Sequence, residues 1–297
     1  MSEQVRQEEF ILRLGGVVVR LISGDPNIEF KIHLKERHFV SHAKPEISIY
    51  IHSGPMPRYS RGKKAFDSGG PWDLYRSKGK WVFRIRFRRS NNSLAKLAIF
   101  DNNFKFGDIY LGFSKPTKHD LINYYLGYHL GHFILSSFLF LNHGAVLHAC
   151  GVSDRGKGIL FVGPSGRGKT TMASLWQKRK GVILLSDDRV ALRKKRGGFY
   201  IYGIPRFGHG MGHLSSPEGA PLERIFFLEH GQKNSVYALM KDEALSNLLI
   251  TAFPPVWNPY GMKNILDVFT EIIEKVPCSR LSFVPNRRVV NLVRKIE

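Results

Sequence analysis

The run Gly163-Pro164-Ser165-Gly166-Arg167-Gly168-Lys169-Thr170-Thr171 has the residue types and spacing of a phosphate-binding loop, Gly-x-x-x-x-Gly-Lys-Thr. Glycines let the backbone curl until several N–H groups converge on phosphate oxygens. A helix beginning near Gly168 would add its dipole, which already favours an anion. In that arrangement Lys169 reaches the β- and γ-phosphates and the Thr170 hydroxyl ligates Mg²⁺. A second chemical group, Asp187-Asp188, follows the apolar run 182–185 and Ser186. Carboxylates at the C-terminal edge of a buried strand stand beside such a loop, where the metal and the transferred phosphoryl group meet.

These groups need elements to hold them. Residues 159–162 are apolar and short enough for a buried strand, and the helical pattern after Gly168 continues through Met172, Ala173, Leu175 and Trp176. Strands are expected at 145–152 before the loop, with a turn at 153–158, and at 182–185 after it. The wholly apolar 182–185 reads as a strand covered on both faces. A hairpin over 190–192 and 199–202 encloses the basic turn 193–198, and a glycine-rich segment follows it. A strand at 224–228, helices at 242–249 and 262–276, a strand at 281–283 and a helix at 286–295 complete the C-terminal half.

Residues 1–115 read as β-rich. Apolar or alternating runs at 10–22, 28–34, 47–51, 81–87, 97–100 and 108–113 are separated by turn signals such as Gly15-Gly16 and Gly24-Asp25-Pro26. Residues 72–75 and 81–87 form an expected hairpin about Ser77-Lys78-Gly79-Lys80. In its second strand Trp81, Phe83, Ile85 and Phe87 share one face, and Arg84, Arg86 and Arg88 share the other, which reads as the wet side of an antiparallel sheet. Residues 55–71 read as loop. A helix is expected over 118–141. Its polar interruptions leave an apolar run far short of the roughly 18–20 residues that span a membrane, so it reads as a buried core helix. His129 and His132, three residues apart, have no third ligand nearby and read as ordinary histidines.

Composition agrees with a folded chain: 297 residues, 43% hydrophobic and 12% aromatic. Two cysteines, Cys150 and Cys278, give neither a disulfide framework nor a metal-ligand spacing, and Cys150 reads as core. The polar first residues carry no signal-peptide pattern, and the expected location is the cytoplasm. The net charge of +21 attracts polyanions without naming one. The basic residues are dispersed and no helicase or RNA-binding motif accompanies them, so nucleic acid is disfavoured as a partner.

The segments Leu147-His148-Ala149, Gly163–Thr170 and Leu185-Ser186-Asp187-Asp188-Arg189-Val190 together resemble the HPr kinase/phosphorylase-like family, whose nucleotide core is akin to that of ATP-dependent phosphoenolpyruvate carboxykinases. The resemblance covers about residues 144–192 well and the rest of the C-terminal half loosely. Residues 1–115 are more similar to the β-rich front half of HPr-kinase-like proteins of peptide-modification gene clusters, some of which are kinases. It implies an α+β chain with a β-rich N-terminal recognition domain over 1–116. An HPr-kinase-like P-loop α/β domain with a mixed sheet would occupy 117–297. It further implies that 163–171 hold the nucleotide phosphates, that Thr170 and Asp188 serve the metal, and that Asp187 is the base accepting the substrate hydroxyl's proton. His148 matches a histidine close to that aspartate. Arg206 is a further candidate phosphate contact. One departure is plain: the family has a metal-binding glutamate in the strand before its glycine-rich loop, and Phe199-Tyr200-Ile201-Tyr202-Gly203 contains no carboxylate.

The expected function is therefore an ATP- and Mg²⁺-dependent kinase acting on a hydroxyl of a peptide, small protein or small molecule. Two alternatives stand beside it: an ATP-binding sensor or scaffold without turnover, and a nucleic-acid-associated NTPase. A homo-oligomeric state is left open.

Overall fold

The computed structural model describes residues 8–25, 28–32, 34–86, 94–112, 125–205 and 215–296. Compactness divides the chain into two units. The first holds the described residues up to Ile134 except 14–16, and the second holds 14–16 and the described residues from Leu135 onward. The division thus lies later than residue 116, within helix α1 (Gly127–Leu141). Residues 118–124 of the expected helix are outside the described residues. Among the described residues no helix is long and apolar enough to cross a membrane.

The first unit is built on an eight-stranded sheet. In chain order its strands are β1 (Glu8–Leu14), β2 (Val17–Ser23), β3 (Ile47–Ser53), β4 (Lys63–Asp67), β5 (Trp72–Ser77), β6 (Lys80–Arg86), β7 (Leu94–Phe100) and β8 (Phe106–Leu111). Their order in the sheet is β1-β2-β3-β8-β7-β6-β5-β4, with β2–β3 and β3–β8 parallel. The β5–β6 turn carries positive φ at both Lys78 (46°) and Gly79 (77°), the two-residue geometry that matches strand twist. Trp72, Phe83 and Phe133 stack at centroid distances of 4.9 and 4.4 Å and form the aromatic heart of this unit.

Three expectations are corrected here. Residues 28–32 are not strand, and Leu34–Phe39 is a 3₁₀ helix beginning at a well-exposed Leu34. Part of the expected loop 55–71 is the edge strand β4, whose lysines suit an unpaired edge. Arg84 is not on a wet face: it is buried, because Asp73 stands opposite it in the β5–β6 register and is itself fully buried. Phe87 and Arg88 lie outside the described residues.

The second unit contains a mixed sheet of β9 (Gly144–Asp154), β10 (Lys157–Val162), β11 (Val182–Ser186), β12 (Arg189–Lys195), β13 (Gly198–Gly203), β14 (Gly219–His230), β15 (Ser235–Ala238) and β16 (Cys278–Phe283). Its pairings run in a circuit β9–β12–β13–β14–β10–β9, with β16 and β15 extending from β14 and β11 paired to β9. Helices are α2 (Lys169–Gln177), α3 (Lys241–Thr251), α4 (Pro259–Lys275) and α5 (Arg288–Lys295).

Strand alternation explains the layering. Ile159 and Phe161 of β10 join Met172, Ala173 and Trp176 of α2 and Val289, Val290 and Val293 of α5 in one core cluster. Leu160 and Val162 turn the other way and join Leu248 of α3 and Ile265, Val268, Phe269 and Ile272 of α4. β10 is therefore covered on both faces. β11 is not covered along its whole length, since Ile183 is 45% exposed.

Candidate functional site

β10 ends at Val162, and the chain passes through Gly163–Gly168 into α2. Gly168 is the N-cap of α2 at φ 95°, in the left-handed region, and no side chain caps the helix. The first helical hydrogen bond runs from Met172 N–H to the Gly168 carbonyl at 2.9 Å, so the N–H groups of Lys169, Thr170 and Thr171 precede the intrahelical ladder. Gly166 also has positive φ, 84°. A Cβ on Gly168 would stand 2.5 Å from Phe283 Cζ, so both the dihedral and the close ring require glycine there. Pro164, Ser165, Gly166, Arg167 and Thr170 are exposed, while Lys169 is buried. Its Nζ donates to the Gly163 carbonyl at 2.6 Å and the Pro164 carbonyl at 3.0 Å. Burial pulls the Lys169 amine below the usual lysine range, and the negative charge of Asp188 opposes that pull.

The carboxylates arrive from the other side of one strand. In the β9–β10 register Val162 stands opposite Ala149, while on the β9–β11 ladder Ser186 stands opposite Gly151. The Ala149 N–H donates to the Asp188 carbonyl at 3.1 Å. The loop and the Asp187-Asp188 turn thus flank β9 at the same level, about two strand spacings of ~4.8 Å apart. Ser186 holds the turn: its Oγ accepts from the N–H groups of Asp188 and Arg189 at 3.3 and 3.1 Å.

His148, paired opposite Arg189, has Nδ1 3.0 Å from Asp188 Oδ1. Arg189 Nε is 3.5 Å from Asp188 Oδ2, and its guanidinium lies 4.6 Å from the centre of the Phe253 ring. Asp187 is buried and Asp188 half-buried. Cys150 is fully buried, and burial together with the nearby Asp187 charge pushes its thiol strongly up, so it stays protonated as a core side chain.

No protein-family model matches this chain, and no curated protein matches it. The site must therefore be read from its own geometry.

That geometry brings together Gly163–Thr171, Asp187, Asp188 and His148. His148 meets Asp188 rather than Asp187 in the contacts just described. Arg206 lies outside the described residues. Sequence reasoning singled out neither His230, whose Nε2 is 2.8 Å from the Gly166 carbonyl, nor Phe283 beneath Gly168. His230 ends β14, the parallel neighbour of β10, so the pairing that brings it to the loop joins segments over 60 residues apart. No local signal in the sequence reveals it. Ser186 and Arg189 were visible, as immediate neighbours of the aspartate pair.

Among the described residues no group of three His, Cys, Asp or Glu side chains could hold a metal by itself. A Mg²⁺ ion at this site would need phosphate oxygens and waters beside one or two protein oxygens. The exposed Thr170 hydroxyl and the half-buried Asp188 carboxylate are of that hard-oxygen type. The segment 199–203 adds none: the Tyr202 ring fills the space where Cβ atoms on Gly16 or Gly219 would fall.

Proposed function

We propose that this protein is a P-loop kinase that transfers the γ-phosphoryl group of ATP to a hydroxyl, on a Ser or Thr of a peptide or small protein or on a small molecule. The observation that supports it is the pairing of a helix N-terminus that no side chain caps, and its lysine, with two carboxylates at the same level across β9. The N–H groups of 168–171 would bind the phosphates. Lys169 would leave the Gly163 and Pro164 carbonyls to meet the β- and γ-oxygens. Asp187 would take the acceptor's proton as its oxygen bonds to the γ-phosphorus and the β–γ bridging oxygen departs with ADP. Asp188, oriented by His148 and the Ser186 turn, would face the metal. Mg²⁺ brought with the nucleotide neutralises charge on the phosphates.

A transfer assay with labelled γ-phosphate, Mg²⁺ and Ser- or Thr-containing peptides tests this. Lys169→Ala should abolish nucleotide binding. Asp187→Asn should stop transfer while leaving nucleotide affinity within about threefold, as expected for a group that acts only in the transition state. Full transfer by Asp187→Asn would remove the proposed base.

A second reading, an ATP sensor without turnover, draws on the absence of any carboxylate in 199–203. It predicts nucleotide binding with no transfer to any acceptor. The nucleic-acid reading, which draws on the net charge of +21, loses ground because Arg84, one of the arginines expected on the wet face of the sheet, is buried against Asp73.

A further inference from the structure

The first unit carries a cationic pocket that the kinase reading does not use. It has a volume of about 340 Å³, a size suited to a small ligand group, and Arg61, Lys64, Asp67, Tyr75, Arg84 and Arg86 line it.

Its floor is built rather than incidental. Arg84 has a side chain only 8% exposed, and it makes a two-pronged pair with Asp73 through Nε at 2.6 Å and Nη2 at 2.5 Å. Nη2 also donates to the Tyr75 hydroxyl at 2.7 Å, and the guanidinium lies 4.5 Å from the centre of the Tyr75 ring. These contacts fix the plane of the fork. Among the described residues they also leave Nη1 without a protein acceptor, on a residue that lines the pocket. Arg86 bonds the same Asp73 carboxylate. Lys64 pairs with Asp67 at 2.7 Å, a bond that holds the Asp67 carboxyl below the usual range. Arg61 makes no ion pair among the described residues.

Four cations against Asp67 and Asp73 leave the pocket with a formal charge of two positive. Taking charges out of water costs several kcal/mol per ion, so a buried Asp–Arg pair is a weak source of stability. Its better use here is to orient a guanidinium that no protein oxygen fully engages.

We propose that this pocket binds a phosphate monoester. Such a group carries about −1.5 to −2 charges at neutral pH and three acceptor oxygens, which matches the residual charge and the Arg84, Lys64 and Arg61 donors around the cavity. A carboxylate would supply one charge and leave the pocket positive. The ligand is thus a phosphorylated residue of a partner chain or a small phosphate ester, and the inference stands whether or not the second unit is a kinase.

Calorimetric titration with N-acetyl-phosphoserine amide, and in parallel with N-acetyl-glutamate amide, tests it. The phosphoserine probe should bind wild type and Lys169→Ala alike, which separates this pocket from the P-loop. Arg61→Ala/Lys64→Ala, altered only at exposed side chains and so expected to fold, should bind it at least about tenfold more weakly. Free phosphoserine and phosphopeptide arms then distinguish a small ester from a phosphorylated chain. The proposal is overturned if no binding is seen, if the double variant binds as wild type does, if Lys169→Ala alone removes binding, or if the glutamate probe binds equally well.

Discussion

Gly168→Ala should destabilise the second unit by about 2–5 kcal/mol, from two separable sources. A non-glycine residue at φ 95° costs about 1–2 kcal/mol. A Cβ placed 2.5 Å from Phe283 Cζ must displace a ring that is 1% exposed in a packed core, an overpacking cost of about 1–3 kcal/mol. Phe283→Leu removes Cζ, so in that background the alanine penalty should fall to the dihedral part alone. The difference, about 1–3 kcal/mol, is the coupling energy of the cycle. Urea unfolding followed by tryptophan emission gives all four stabilities, with Trp176 buried in the adjacent helix as a reporter. Displacement of a fluorescent nucleotide measures the accompanying loss of binding. Equal penalties in the two backgrounds would refute the steric account. A total penalty below about 0.5 kcal/mol would show that the loop does not hold Gly168 in the left-handed region.

Two further predictions concern the first unit. Asp73→Ala leaves the Arg84 guanidinium buried without its carboxylate and should cost about 3–5 kcal/mol in urea unfolding, while Asp67→Ala, at an exposed pair, should change little. Lys96 is pulled down by burial to about 8. Its folded value therefore lies below that of the unfolded chain, near 10.4, and between the two the unfolded chain binds more protons, so stability rises with pH across that window. The penalty is full below pH 8. Lys96→Met should be spared it, so stability relative to wild type should decline as pH climbs from about 8 to about 10.5, by an amount on the order of a few kcal/mol. A difference independent of pH would overturn the assignment.

What was legible in the sequence is what local chemistry dictates. Lys78-Gly79 and Arg155-Gly156 turn hairpins because short segments with glycine favour positive φ, and both do so. The loop at 163–170 follows a strand and opens a helix, as its spacing demands. Ends set by pairing were harder to read. The strand expected at 224–228 runs from Gly219 to His230, because β13 pairs with its first residues, β10 with its middle, and β16 with residues 225–230, sharing 225–227 with β10. β15 and the edge strand β4 exist through their partners and have no strong pattern of their own. Alternation marked Arg84 correctly as opposite to Phe83, but it could not reveal that Asp73 waits across the hairpin. For the candidate site, the aspartates and the loop were visible as separate motifs. Their shared level on β9, and the approach of His230 and Phe283, depend on contacts distant in sequence.

β9 supplies the frame on which both chemical groups are hung, and its far end is a single exposed turn at Arg155-Gly156, where a side chain on Gly156 would meet nothing. The six residues of β10 put about 20 Å between that turn and the phosphate loop. Within the second unit the β9–β10 hairpin therefore has the candidate site at one end and, at the other, a turn at which a reporter domain or a new pair of chain termini can be grafted. Such a graft would leave the ladder registers that align the loop with the carboxylates unbroken.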